Sequence, residues 1–155
     1  MTPLWQLSAT DQAAGIRDRS FTSAAVVESV LERVAKKNPE LNAIVDPMEE
    51  QALLASEKAD NAVASGRKLG PLHGVPVTIK VNVDTKGRPT TNGMEAFKDI
   101  IAADNSPIVQ NLLSAGAIII GRTNTPEMSM RLTTDNPLYG LTRNPWNLEM
   151  SPGGS

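Results

Sequence analysis

Lys80 closes a short β-branched run, residues 75–79, in the segment Gly70-Pro-Leu-His-Gly-Val-Pro-Val-Thr-Ile-Lys80. A strand there would carry the amine toward a protein interior, where an ammonium is expensive and the neutral form is favoured. Neutral lysine is a general base. From the residues alone two readings stand: a lysine snorkelling from a strand edge, and a buried functional amine. His73, the one histidine, is also a base in principle. With no G-x-S-x-G elbow to supply a hydroxyl partner, a structural or loop role is the stronger reading.

Other chemistries lack their residues. No G-x-x-x-x-G-K-[ST] loop occurs, and no G-x-G-x-x-G opens a helix after a strand, which disfavours a small nucleotide-binding α/β domain. Glu49, Glu50, Asp99, Asp104 and Asp135 are scattered without metal-ligand spacing and read as solvated charge, so no metal is expected. Met128 and Met130 flank Ser129 and read as gap-filling core in preference to substrate contact. By composition, Pro152-Gly-Gly-Ser155 reads as a flexible tail.

The elements that must position these groups follow from periodicity and punctuation. Ser8 caps a helix to Arg17. Thr22 caps a stronger one to Lys37, with Val26, Val27, Val30, Leu31 and Val34 on one face. A brief strand is expected at 41–45, and Pro47 is expected to open a third helix that Gly66 ends. Residues 72–83 read as a strand whose end presents Lys80, followed by a loop at 86–94. Ser106-Pro107 starts a helix closed by Gly116, and Ala117 to Ile120 reads as a strand buried on both faces and bounded by Gly121. Thr125-Pro126-Glu127 starts another short helix, and the chain beyond Asn136 is irregular. The alternation indicates α/β architecture.

Composition narrows the function classes. A chain of 155 residues with 40% hydrophobic and 21% charged residues is one soluble domain's worth of sequence. A net charge of −2 and 3% aromatic content argue against a nucleic-acid partner, which needs clustered cations or stacking platforms. The absence of cysteine fits a cytoplasmic protein. No stretch approaches the ~20 apolar residues of a membrane span, and no leader is evident, so no membrane association is expected.

Taken together, Gly70-Pro-Leu-His-Gly-Val-Pro-Val-Thr-Ile-Lys80-Val-Asn82, Gly116-Ala-Ile-Ile-Ile-Gly-Arg-Thr-Asn124 and Ser151-Pro-Gly-Gly-Ser155 closely resemble the amidase signature family. The match runs over residues 69–155, with Pro126 and Asn144-Pro145-Trp146 in place. The resemblance implies an α/β fold, a large mixed β-sheet sandwiched between helices. Of that single domain this chain would be the N-terminal portion, with 1–66 a helical lead-in and 67–155 the start of the signature core.

The same resemblance implies hydrolysis of a small-molecule amide at its C–N bond, through an acyl-enzyme and without a cofactor. It assigns a Ser-Ser-Lys triad in which Lys80 is the base and Ser155, preceded by a cis bond, is the bridging serine. The nucleophile would be a later serine, beyond residue 155, so the chain alone is expected to be inactive. Ser129 would line the acyl pocket as a substrate-binding residue. Val81 departs from the acidic residue common after this lysine, but its side chain would face the other side of the strand. A cis bond costs about 3–4 kcal/mol; with nothing after Ser155 to enforce it, that bond is expected to relax to trans or the residue to be disordered. An uncovered sheet edge and helix face would favour loose packing or self-association, including a homo-oligomer. The alternatives are a protein like the amide-hydrolysing component of a tRNA-dependent amidotransferase and a non-catalytic interaction module on the same scaffold.

Overall fold

The computed structural model describes residues 2–154. Its elements are α1 (Ala9–Arg17), α2 (Ser23–Leu41), β1 (Ile44–Pro47), α3 (Glu49–Ala64), β2 (Pro76–Lys80), α4 (Pro107–Ser114) and β3 (Ile118–Thr123), with short 3₁₀ turns at Leu4–Gln6, Glu95–Phe97 and Glu127–Ser129. The three strands form one sheet in the order β1-β3-β2. β1 runs antiparallel to β3. Along β2 and β3 the bonds from Ile118 N to Val75 O and from Val81 N to Thr123 O climb both chains together, the parallel sense. The sheet is therefore mixed, as the α/β reading expects.

The contact pattern divides the chain into two compact units. The first comprises residues 1–35, 48–78 and 110–120. Its core is Val27, Ala52, Ala59, Ile118 and Ile120, with Val30, Leu31, Val34 and Ala55 packed against it. The valine stripe of α2 finds its partner surface here, and each such buried aliphatic side chain stabilises by about 1.5–3 kcal/mol. Caps fix where the helices begin. Ser8 Oγ accepts from Asp11 N at 3.1 Å. At α2, Thr22 Oγ1 accepts from Ala25 N, while the Asp60 carboxylate on α3 accepts from Ser23 N at 2.7 Å and Ala24 N at 3.0 Å. That distant carboxylate is the cap the local pattern could not reveal. A ring N–H of His73 donates to Ala59 O at 3.0 Å, in line with the structural reading of this residue. Gly116 at φ 91° comes so close to His73 that a Cβ would lie 2.8 Å from its Cα.

The second unit comprises residues 36–47, 79–109 and 121–155. Several expectations are corrected by the observed element boundaries. α2 continues through Pro39 to Leu41, and β1 begins only at Ile44, because Asn38 Oδ1 takes the amides of Ala43 and Ile44 and so makes the turn. Pro47 ends β1 and opens no helix; α3 starts at Glu49. β3 does not stop at Gly121 but runs on to Thr123, and glycine is required in it because a Cβ there would meet Ile44 Cγ2 at 2.7 Å. β2 is five residues long, shorter than 72–83, since residues 71–74 form turns. Met128 and Met130 are exposed, 44% and 83%, and are not core.

The stretch after Asn136 is irregular, yet it is tied down by side chains acting as backbone surrogates. Asn136 is buried; its Nδ2 donates to Asn124 Oδ1 at 2.7 Å and Thr125 O at 2.8 Å. Its Oδ1 accepts from Leu138 N and Tyr139 N. Asn124 Nδ2 donates in turn to Gly140 O and Thr142 Oγ1.

Two outcomes follow. Asp60→Ala should cost about 1–2 kcal/mol by removing the α2 cap, read as a lowered urea midpoint at unchanged m. Asn136→Ala removes four hydrogen bonds at about 1 kcal/mol each, and its loss of about 2–4 kcal/mol should exceed that of Asp60→Ala in the same titration.

Candidate active site

Lys80 is the last residue of β2 and lies in the second unit. The residue is half-buried, and desolvation lowers its pKa from the ordinary lysine value. The strand ends there because the chain turns: Val83 N donates to Lys80 O at 3.0 Å. Val81 N still reaches Thr123 O at 3.0 Å, so the turn stays attached to β3.

Two residues past the lysine, Asn82 Nδ2 donates to Ser129 Oγ at 2.9 Å. Ser129 Oγ also shares a hydrogen bond with Thr125 Oγ1 at 3.1 Å. Asn82 Oδ1 is buried and has no hydrogen-bond partner among the described residues. The structure thus ties Ser129 to the turn that bears Lys80. The expected helix start at Thr125-Pro126-Glu127 is only a 3₁₀ turn, in which Met128 and Ser129 adopt φ 53° and 57°. Left-handed backbone at non-glycine residues is uncommon and costs about 1–3 kcal/mol each. Here it is held by bonds from Met128 N to Asn92 O and from Ser129 N to Pro126 O.

The glycine approach to Ser155 is more constrained than a flexible tail. Ser151 Oγ accepts from Thr134 N at 3.1 Å, and Thr134 Oγ1 donates to Gly153 O at 2.7 Å. Gly154 lies so close to residue 131 that a Cβ would sit 2.0 Å from Arg131 O, which excludes any side chain. Ser155 itself, with the expectation about the bond before it, lies outside the described residues.

Sequence reasoning assigned nothing to Arg122, yet it is the largest wholly buried side chain, with 0% exposure. Its Nη2 donates to Val81 O at 3.1 Å and Val83 O at 3.2 Å. Its Nη1 donates to Pro89 O at 2.7 Å and pairs with Asp46 Oδ2 at 3.4 Å. Asp46 Oδ1 takes Arg88 Nη1 at 2.7 Å. Desolvation lowers the Arg122 pKa, and Asp46 opposes that shift by charge and hydrogen bonding. The available signal was a cation two residues beyond Ile120 on a strand otherwise apolar, which places both on one face.

A family model described as Amidase matches residues 25–155. The chain is 53% identical over 153 residues to the indoleacetamide hydrolase of Bradyrhizobium diazoefficiens, covering 99% of this chain and 29% of that protein. It is 36% identical to a glutamyl-tRNA(Gln) amidotransferase subunit of Natranaerobius thermophilus, covering 98% of this chain and 31% of that one. Among solved structures, a bacterial aryl acylamidase of the amidase signature family superposes with a TM-score of 0.93 at 30% identity, over 99% of this chain and 32% of its own. The chain thus spans about a third or less of the length of each of these proteins. With the family model matching most of its residues and the fold superposing closely on a solved member, the chain belongs to the amidase signature family.

Proposed function

We propose that a protein of the relatives' length carrying this chain is an amidase that cleaves a carboxamide C–N bond through an acyl-enzyme. In this reading residues 1–66 are the helical lead-in and 67–155 the start of the signature core of one amidase domain. Lys80 is the general base and Ser155 the bridging hydroxyl, with a second serine in following sequence as nucleophile. That serine's oxygen attacks the amide carbon while its proton passes to Ser155 Oγ, whose own proton moves to Lys80 Nζ. Collapse of the tetrahedral adduct breaks the C–N bond, and the amine leaves with the proton returned along the same route. Water then attacks the acyl ester, its proton passing through Ser155 to Lys80 and returning to the nucleophile's oxygen as the ester C–O bond breaks, and the acid is released.

The observation that carries this reading is the half-buried position of Lys80 at the end of β2, where desolvation pushes its pKa down and so raises the fraction of neutral base. The Asn82–Ser129 contact on the adjoining turn supports a place for Ser129 in the acyl pocket. Greater identity to a hydrolase than to an amidotransferase component supports free hydrolysis over a tRNA-dependent role. Since the relatives' names include an indoleacetamide hydrolase and an aryl acylamidase, aryl-bearing small-molecule amides are the substrates to try first.

Lys80→Ala in the whole protein should lower kcat/KM on such amides by about 10²–10⁴-fold, the usual worth of a positioned base. Hydrolysis by the variant equal to that of the unaltered protein would remove Lys80 from the mechanism. Because the base acts when neutral and its pKa is lowered, kcat/KM should rise with pH and level off below the ordinary lysine range, as initial rates across pH would record.

A further inference from the structure

The guanidinium of Arg122 is buried completely and spends its donors on main-chain carbonyls. Two of these, Val81 O and Val83 O, belong to the residue directly after Lys80 and to the end of the turn that Lys80 begins. Those bonds come from one Nη2, so a single planar group sets the spacing of both carbonyls. The third, Pro89 O, anchors the following loop. Asp46 on β1 holds the other side, itself braced by Arg88. An arginine fork does this where a lysine cannot, because one ammonium lacks the planar, spaced donors.

We infer that Arg122 is a positioning residue for the amidase reaction: by clamping the Val81 and Val83 carbonyls it fixes the turn from which Lys80 reaches the reacting groups and Asn82 reaches Ser129. The inference rests on Lys80 being the base. Arg122 itself touches no reacting atom in this scheme and acts only through the turn. Lys80 is half-buried, and a loosened turn exposes its side chain further and weakens the desolvation that lowers its pKa. Asp46 on β1, Asp84 directly after the turn, Arg88 in the loop, Arg122 on β3 and Glu127 in the 3₁₀ turn of Ser129 are charged groups of the neighbouring segments, and none of them is among the causes of the Lys80 shift. The effect therefore runs through solvation of the amine and not through loss of a charge.

The test uses the whole protein with Arg122→Lys, Asp46→Asn and Lys80→Ala side by side, each checked for folding by circular dichroism. In Arg122→Lys we expect kcat to fall about 10-fold or more with KM changed little. The rising limb of kcat/KM should also move about one pH unit upward, a tenfold loss of neutral amine at a given pH. Asp46→Asn, which keeps an acceptor for the guanidinium, should shift the limb the same way by less. If Arg122→Lys does not fold, the Asp46→Asn limb decides: an upward shift supports the clamp, and an unmoved limb overturns it. Activity lost uniformly with no movement of the limb also overturns it, leaving Arg122 a purely structural residue. An inactive Lys80→Ala beside an unaffected Arg122→Lys would sink the clamp but keep the base. An active Lys80→Ala would sink the base itself.

Discussion

The second unit depends on one charged group taken out of water. A guanidinium with no exposure is costly to bury, and the cost is offset only where its donors are met and a counter-charge lies near. Arg122 meets those conditions with three carbonyls and Asp46, leaving Nε without a partner among the described residues. The carbonyls it takes belong to backbone outside the named strands and helices, whose polar groups need partners from elsewhere. The clamp thus satisfies the turn after β2 and the loop at Pro89 together. It adds to the bonds from Val81 N to Thr123 O and from Val83 N to Lys80 O in fixing the exit from the strand that ends at Lys80.

Around that clamp the irregular backbone is organised by amides. Asn42, Asn124 and Asn136 each bond main-chain groups far along the chain. Asparagine suits this work because one side chain offers both donors and an acceptor in the geometry of a peptide group. Left-handed residues at Asn42, Met128 and Ser129 show where the chain is bent against its preference. Two of these bends, at Met128 and Ser129, lie in the 3₁₀ turn that carries Ser129, and strained backbone of this kind clusters at functional sites.

Much of the fold is legible in the residues themselves. The α2 stripe, the Ser8 cap, the Ser106-Pro107 helix start and the apolar run at 118–120 each state their structure locally, through spacing, a short polar side chain or β-branching. The misread boundaries each have a specific cause. Pro47 ends a strand and β3 passes through Gly121 because the two face one another across the β1–β3 ladder, while the end of α2 beyond Pro39 is set by the Asn38 side chain. The methionines flanking Ser129 were misread for a related reason: apolar character speaks for burial, but only the path of the chain decides whether anything lies above them.

By itself the sequence determined the α/β alternation, the family resemblance in three ordered blocks, and the position of Lys80 at a strand end, since each depends on residue type and spacing alone. Only the tertiary structure decided that Asp60 caps a helix 37 positions away, that Asn82 meets Ser129, and that Arg122 grips the turn behind Lys80. These contacts join residues 37 to 47 positions apart. No local pattern encodes such pairs, because hydrogen bonding and desolvation act through space, and only the folded path brings their partners within reach.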